Sequence, residues 1–103
     1  MDKLAVLRDI LALDPNNAFA RYGLAMELGS QGKIAESLVE FDTLNSANPD
    51  YTAAYFMAAQ TLASAGRTVE AIERLRAGIA SATRTSNHHA LSEMQAMLDE
   101  LDR

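Results

Sequence analysis

The sequence predicts an all-α fold in which about six helices form antiparallel hairpins. Composition is the first indication, because aromatic residues make up only 6% of the 103 residues, whereas alanine and leucine, which favour helices, are abundant. The second is an internal repeat, and the third is apolar spacing at steps of three and four residues within each repeat. The length predicts a single domain, residues 1–103.

The repeat is defined by residues that recur at one offset. Pro15 and Pro49 lie 34 residues apart, and each precedes a short polar pair. Identical or similar residues recur at the same offset along the two segments, and this many matches mark a repeat. The pairs are Ala25 and Ala59, Leu28 and Leu62, Ser30 and Ser64, Gly32 and Gly66, Glu36 and Glu70, Tyr22 and Phe56, Lys33 and Arg67, Leu38 and Ile72, and Phe41 and Leu75.

The first three helices are predicted near residues 2–13, 17–30 and 33–47. Helix 2–13 carries two apolar stripes, which are Leu4, Leu7 and Leu11, and Val6, Ile10 and Leu13. Helix 17–30 places Leu24, Ala25 and Leu28 on one face, and helix 33–47 repeats Leu38, Phe41 and Leu44 at three-residue steps. A glycine turn separates the second helix from the third, and Pro49 ends the third because it cannot continue a helix.

The last three helices are predicted near residues 51–65, 68–84 and 88–102. The fourth and fifth repeat the preceding hairpin, with Gly66 at their turn. Thr85-Ser86-Asn87 indicates a break with a capping residue that starts the sixth helix. Apolar residues of that helix step by 3, 4 and 3 residues, and the residues between them are expected to face water. The apolar set is Leu91, Met94, Leu98 and Leu101, with Met97 beside it.

These residues resemble the tetratricopeptide repeat family, whose period is about 34 residues. The resemblance rests on a small residue at the helix crossing, leucine three positions on, glycine at the turn, and a closing proline. In the second helix it rests on a glutamate followed by a small residue, and then on Phe41 or Leu75. These are Ala25 and Ala59, Leu28 and Leu62, Gly32 and Gly66, Glu36-Ser37 and Glu70-Ala71, and Asp14-Pro15 and Asn48-Pro49. Arg21 departs from the family pattern, which often has an aromatic residue there, as Tyr55 does in the next repeat.

The resemblance implies a right-handed superhelical stack with a defined division of the chain. Residues 2–15 would be the second half of an earlier repeat, and residues 18–51 and 52–85 would be two full repeats. Residues 86–102 would be a capping helix, and the alternative is that this helix also serves in dimerisation. It also implies that the first helix of each repeat lines a concave groove that binds a peptide or a helix. The expected groove residues are Phe19, Tyr22, Met26, Ser30, Phe56 and Gln60, with Tyr22 beside Phe56 as an apolar shelf. The alternative is that the first or the last helix of the chain partly fills this groove.

The first helix suggests a second kind of interaction. It is apolar over a wide arc, and the partner helix that the family would place against it is not part of the chain. We expect part of Val6, Leu7 and Ile10 to stay exposed and to pair with another chain, as large apolar patches often do. Folding of these side chains onto the next helix is the competing expectation. The leading hypothesis is therefore a protein-binding adaptor, and the alternative is a subunit that dimerises through this helix.

Other classes of function find little support. The net charge is −5 and the nine basic residues are dispersed, which argues against nucleic acid as a partner. No apolar run is long enough to cross a membrane and no secretory signal is evident, so we expect a cytoplasmic protein. Glu36, Glu40 and Glu70 are expected on solvated helix faces, where they could not act in acid–base catalysis.

Metal and cofactor chemistry is weakly supported as well. His89 and Glu93 share a helix face as a two-ligand pair, but a pair without a third ligand is a poor metal site. The chain has no cysteine nucleophile and no glycine-rich phosphate loop. We therefore predict no enzymatic activity, no metal and no cofactor.

Overall fold

The computed structural model describes residues 2–103, which contain six α-helices and no β-strand. Each helix begins and ends within one residue of its predicted bounds, so the predicted all-α fold is confirmed. The helices are α1 (Lys3–Leu13), α2 (Ala18–Ser30), α3 (Ile34–Ala47), α4 (Thr52–Ser64), α5 (Thr68–Arg84) and α6 (His88–Leu101). None of them, within the described residues, is long and apolar enough to span a membrane.

The chain divides into two compact units, one that ends at Asn48 and one that comprises Pro49–Arg103. In the first unit α2 packs against α1 and against α3, and in the second α5 packs against α4 and α6. The connections are short, which makes consecutive helices within a unit antiparallel. The predicted assignment of the whole chain to a single domain remains a prediction.

Side-chain caps fix the start of three helices. Asp2, Asn17 and Asn87 each accept a hydrogen bond from a backbone N–H in the first turn of the helix that follows. Such caps satisfy N–H groups that have no partner within the helix. The predicted capping residue before the last helix is therefore Asn87, whose side-chain oxygen lies 3.2 Å from the Ala90 nitrogen.

The turns that follow α2, α4 and α5 share one hydrogen-bonding pattern. After α2, the Gly32 N–H donates to the Gly29 carbonyl and the Lys33 N–H donates to the Leu28 carbonyl. This is a Schellman motif, which needs a residue with positive φ just past the helix end. Gly32 at +78° and Gly66 at +77° supply it after α2 and α4. After α5 the same position is occupied by Ser86, at +55°.

The core of the first unit is built from leucine and alanine. Buried Leu4 and Leu11 of α1 pack with Leu24 and Leu28 of α2, and Leu7 packs against this cluster. In α3, Phe41 is completely buried and the Ser37 hydroxyl donates to the Ala25 carbonyl at 2.7 Å. Burial of these apolar side chains is the main stabilising contribution to such a unit.

The core of the second unit contains smaller side chains. Five alanines are buried there, in company with Leu62, Leu75 and Met94. Gly78 of α5 is buried as well, and a Cβ atom at Gly78 would lie only 2.4 Å from Met94 Sδ and 2.8 Å from Tyr55 Cβ. The Met94 thioether therefore occupies the volume of the side chain that Gly78 lacks, and this fixes the position of α6 on α5.

A buried pair of hydroxyl groups joins α4 to α5. The Thr52 and Ser81 side-chain oxygens lie 2.8 Å apart, and both residues are buried. Each hydroxyl gives the other a partner, which a buried polar group requires. The 34-residue offset places Ala18 and Ala47 at these two positions in the first unit, so this contact is specific to the second.

Candidate functional site

The predicted binding residues of the first unit lie on one stripe of α2. Phe19, Tyr22, Met26 and Ser30 follow one another at steps of three or four residues, which brings them to the same helix face. Phe19 is 80% exposed, Tyr22 and Met26 are half-buried, and Ser30 is exposed. The stripe therefore begins with a large aromatic ring that is almost entirely open to solvent.

Tyr22 is held in place by the core beneath it. Its ring meets the buried ring of Phe41 edge to face, with centroids 6.4 Å apart and planes inclined by 66°. This geometry is a favourable one for aromatic pairs. One part of the Tyr22 ring thus lies at the surface, and the other part contacts Phe41 of α3. The position of the stripe therefore depends on the packing of α2 against α3.

The corresponding stripe of the second unit is less aromatic. Phe56 of α4 is half-buried and Gln60 is exposed, whereas the position equivalent to Phe19 holds the exposed Ala53. The second unit therefore has no exposed aromatic residue at the start of this stripe. The predicted pairing of Tyr22 with Phe56 remains a prediction.

Helix α1 exposes part of the surface that was predicted to self-associate. Val6 is 40% exposed and Ile10 is 39% exposed, and Leu13, on the same stripe, is 90% exposed. Leu7 behaves differently, because it packs against the core cluster and its Cδ2 would lie 3.3 Å from a Cβ atom at Gly23. Leu7 therefore contributes to the α1–α2 contact, while Val6 and Ile10 remain on the surface.

Arg21 and Tyr55 donate hydrogen bonds to equivalent proline carbonyl groups in the two repeats. The Arg21 guanidinium donates to the Pro15 carbonyl at 3.0 Å, and the Tyr55 hydroxyl donates to the Pro49 carbonyl at 2.7 Å. Both bonds tie the start of a hairpin's first helix to the proline that precedes it. Although Arg21 differs from the family's usual aromatic residue, it keeps the hydrogen bond to the proline carbonyl with a different donor group. The 34-residue offset pairs Arg21 with Tyr55 and could have revealed this equivalence.

Glu40 does not lie on a solvated face as predicted, and the prediction was wrong for this residue. Its carboxylate forms an ion pair with Arg21, and the two side chains are only 21% and 20% exposed. Because Arg21 extends from α2 towards α3, it draws Glu40 to the helix contact. Glu36 and Glu70 are exposed, and each is paired with an arginine, Arg8 and Arg67 respectively.

The Arg67–Glu70 pair lies at the start of α5 and shifts the pKa of both groups. Two hydrogen bonds of 2.9 and 2.7 Å join the guanidinium to the carboxylate. Hydrogen bonding from Arg67 is the main reason that the pKa of Glu70 lies below its ordinary value, and the same bond raises the pKa of Arg67. A carboxylate in the first turn of a helix is also favoured by the helix dipole.

His89 and Glu93 lie one turn apart on α6, with His89 Nε2 2.9 Å from Glu93 Oε1. Within residues 2–103, no three His, Cys, Asp or Glu residues come together as a group that could hold a metal ion. Two of the surface cavities among the described residues have volumes of about 600 and 240 Å³, and neither is lined by a predicted groove residue. The larger lies in the second unit, beside Asp50, Thr52 and Asn87.

The chain is similar to known proteins both in sequence and in fold. The sequence model of the tetratricopeptide repeat matches residues 28–98. A tetratricopeptide repeat domain protein from Salinibacter ruber is 30% identical, with a TM-score of 0.79, and the match covers 85% of this chain and 89% of that one. No curated protein matches the chain.

Two further solved structures share the fold at lower identity. A protein from Bordetella parapertussis has a TM-score of 0.86 at 21% identity, and the match covers 100% of this chain and 90% of that one. YrrB, described as a tetratricopeptide repeat protein with an unusual peptide-binding site, has a TM-score of 0.78 at 24% identity. The match covers 90% of this chain and 46% of YrrB.

Proposed function

Because the chain belongs to the tetratricopeptide repeat family, we propose that it is a non-catalytic adaptor that binds a peptide or a helix of a partner protein on the exposed face of α2. Members of the family are typically scaffolds without catalytic activity. One protein of the same fold, YrrB, is described as having a peptide-binding site. Phe56 and Gln60 are proposed to serve the same function on α4.

The observation that carries the proposal is the exposure of Phe19. A phenylalanine that is 80% exposed leaves most of its apolar area in water, so a partner that covers it gains hydrophobic stabilisation. Tyr22 and Met26 continue the apolar surface along the same helix face. Aromatic side chains and methionine at such spacing are typical anchors for a bound peptide or helix.

The experiment selects peptides from a displayed library against the purified protein and measures their affinity for variants. Phe19→Ala and Tyr22→Ala should each weaken binding tenfold or more, as expected for anchor residues. Val39→Ala is the matched control, because Val39 is 59% exposed in the same unit but lies on α3. If the selected peptides bind Phe19→Ala as tightly as the unaltered protein, α2 does not provide the binding surface.

A second candidate function rests on α1. The exposed stripe of Val6, Ile10 and Leu13 would support a subunit that associates with itself through this helix. Glutamate at both Val6 and Ile10 should then abolish the dimer in sedimentation equilibrium, whereas glutamate at the exposed Val39 should not. A strict monomer at high protein concentration would exclude this candidate and leave the adaptor proposal intact.

A further inference from the structure

The connection between α5 and α6 differs from the other four connections between described helices. Each of those contains proline or glycine, whereas Thr85-Ser86-Asn87 contains neither. Ser86 nevertheless has a φ of +55°, in the left-handed region that disfavours residues with a side chain. Gly32 and Gly66 occupy the equivalent turn positions without that penalty. The α5–α6 turn is therefore a strained hinge.

The sequence around this hinge is compatible with an uninterrupted helix. From Ala82 to His88 no residue breaks a helix, and the flanking helices have 17 and 14 residues. If Ser86 adopted helical dihedral angles, its strain would be released. The turn bonds from Ser86 to Thr83 and from Asn87 to Ala82 would be replaced by bonds of the continuous helix. The short turn and the straight helix are thus two compatible conformations of one segment.

The surface that receives α6 is specific. Met94 is completely buried, and its sulfur occupies the place of the side chain that Gly78 lacks. Near the end of α6, the Asp102 carboxylate lies 4.0 Å from the Arg76 guanidinium. These contacts define one position of α6 on α5, and any molecule with the same α5 and α4 surfaces offers the same position.

We propose that two copies of this chain exchange α6. In the exchanged dimer, α5 and α6 of each copy form one long helix, and α6 packs on α5 of the other copy with Met94 over Gly78 of that copy. A second copy is the partner because every contact of α6 with α4 and α5 is rebuilt in trans. Only the hinge changes, and there the Asn87 cap on the Ala90 N–H is replaced by a backbone bond of the long helix. Short hinges under strain favour such an exchange. The proposal is independent of peptide binding on α2.

Hinge variants test the direction of the effect. Ser86→Gly removes the left-handed penalty from the monomer, in which the turn is formed, and it disfavours the long helix. The equilibrium constant for exchange should therefore fall about fivefold or more for each hinge. A dimer contains two hinges, which makes the expected loss of dimer affinity about 25-fold or more. Ser86→Ala favours the long helix and should strengthen the dimer about fivefold. Ser92→Gly, at an exposed position in α6 away from the hinge, should leave the dimer fraction unchanged.

The measurement refolds the full chain from urea at high concentration and separates monomer from dimer by size-exclusion chromatography with light scattering. The proposal is supported by a dimer that dissociates slowly, becomes more abundant in Ser86→Ala and disappears in Ser86→Gly. Absence of a dimer from both the unaltered chain and Ser86→Ala would overturn it, as would a dimer that is equally abundant in Ser86→Gly.

Chemical cross-linking distinguishes exchange from association through another surface. The chain has no cysteine, so Arg76→Cys with Asp102→Cys introduces the only two thiols, at exposed positions that face each other. A short bismaleimide should link two chains covalently in the isolated dimer and should give only internal links in the monomer. Internal links alone in the dimer would show that α6 has stayed on its own chain and would overturn the proposal.

Discussion

The substitution Gly78→Ala tests whether the absence of a side chain at residue 78 determines where α6 packs on α5. Gly78 lies inside α5, where alanine would normally stabilise the helix by about 1 kcal/mol. The added Cβ would stand 2.8 Å from Tyr55 Cβ and 2.4 Å from Met94 Sδ. The methionine sulfur is the more adaptable neighbour, but Tyr55 Cβ is fixed by the backbone of α4, so α4 and α5 would have to move apart.

The net effect follows from these opposed contributions. Overpacking of a well-packed core reduces stability by about 1–3 kcal/mol, and two close contacts place Gly78→Ala in the upper part of that range. After the gain in helix propensity, we expect a net loss of about 1–2 kcal/mol in the free energy of unfolding. Gly23→Ala is the matched control, because its Cβ would meet only the flexible end of Leu7, at 3.3 Å. That variant should gain up to about 1 kcal/mol.

Urea unfolding followed by circular dichroism measures both variants. Amide hydrogen exchange then locates the change, since Gly78→Ala should accelerate exchange in α6 and leave α2 unaffected. Equal or greater stability of Gly78→Ala, with unchanged exchange in α6, would refute the view that Met94 fills the space above Gly78.

Three further predictions concern side-chain contacts. Ser81→Ala should reduce stability by about 1–2 kcal/mol in urea unfolding, because the buried Thr52 hydroxyl loses its close partner, and Thr52→Val with Ser81→Ala should restore most of it. A double variant less stable than Ser81→Ala would contradict this. Tyr55→Phe should lose about 0.5–1 kcal/mol with its bond to the proline carbonyl, seen in the same assay. Arg67→Ala should raise the Glu70 pKa in an NMR titration. Since the folded pKa is lowered, the pair stabilises above the unfolded pKa, and this contribution disappears as the pH falls through the folded value.

The helices could be predicted because local signals mark both their interiors and their ends. Pro49 and Gly66 break the helical pattern irrespective of tertiary structure, and the 34-residue offset shows that each break belongs to a repeating unit. The turn at Ser86 was predicted as a break, but its left-handed conformation was not. No residue type there indicates positive φ, so the shape of this turn depends on the packing of α6 against α5.

The candidate site was less predictable, because helix periodicity identifies a face but does not say how deeply its side chains are covered. Helix periodicity brings Phe19, Tyr22 and Met26 to one face of α2, and their role in binding stays a prediction. The unequal exposure of these side chains depends on contacts such as that between Tyr22 and Phe41. The ion pair of Arg21 with Glu40 was missed for a similar reason. It joins two helices whose relative placement the sequence pattern leaves undetermined.

The complementarity of Gly78 and Met94 limits how far the two repeats are interchangeable. At the position of Gly78, the first repeat has Leu44, whose side chain is itself buried. A chimaera in which α6 followed α3 would bring a methionine and a leucine into the same space. A longer designed array that kept α5 but replaced α6 would leave a hole over the glycine unless the incoming helix supplied a side chain of similar size and flexibility. Helix α6 and the α4–α5 hairpin are therefore complementary, and they should be transferred together into any designed protein.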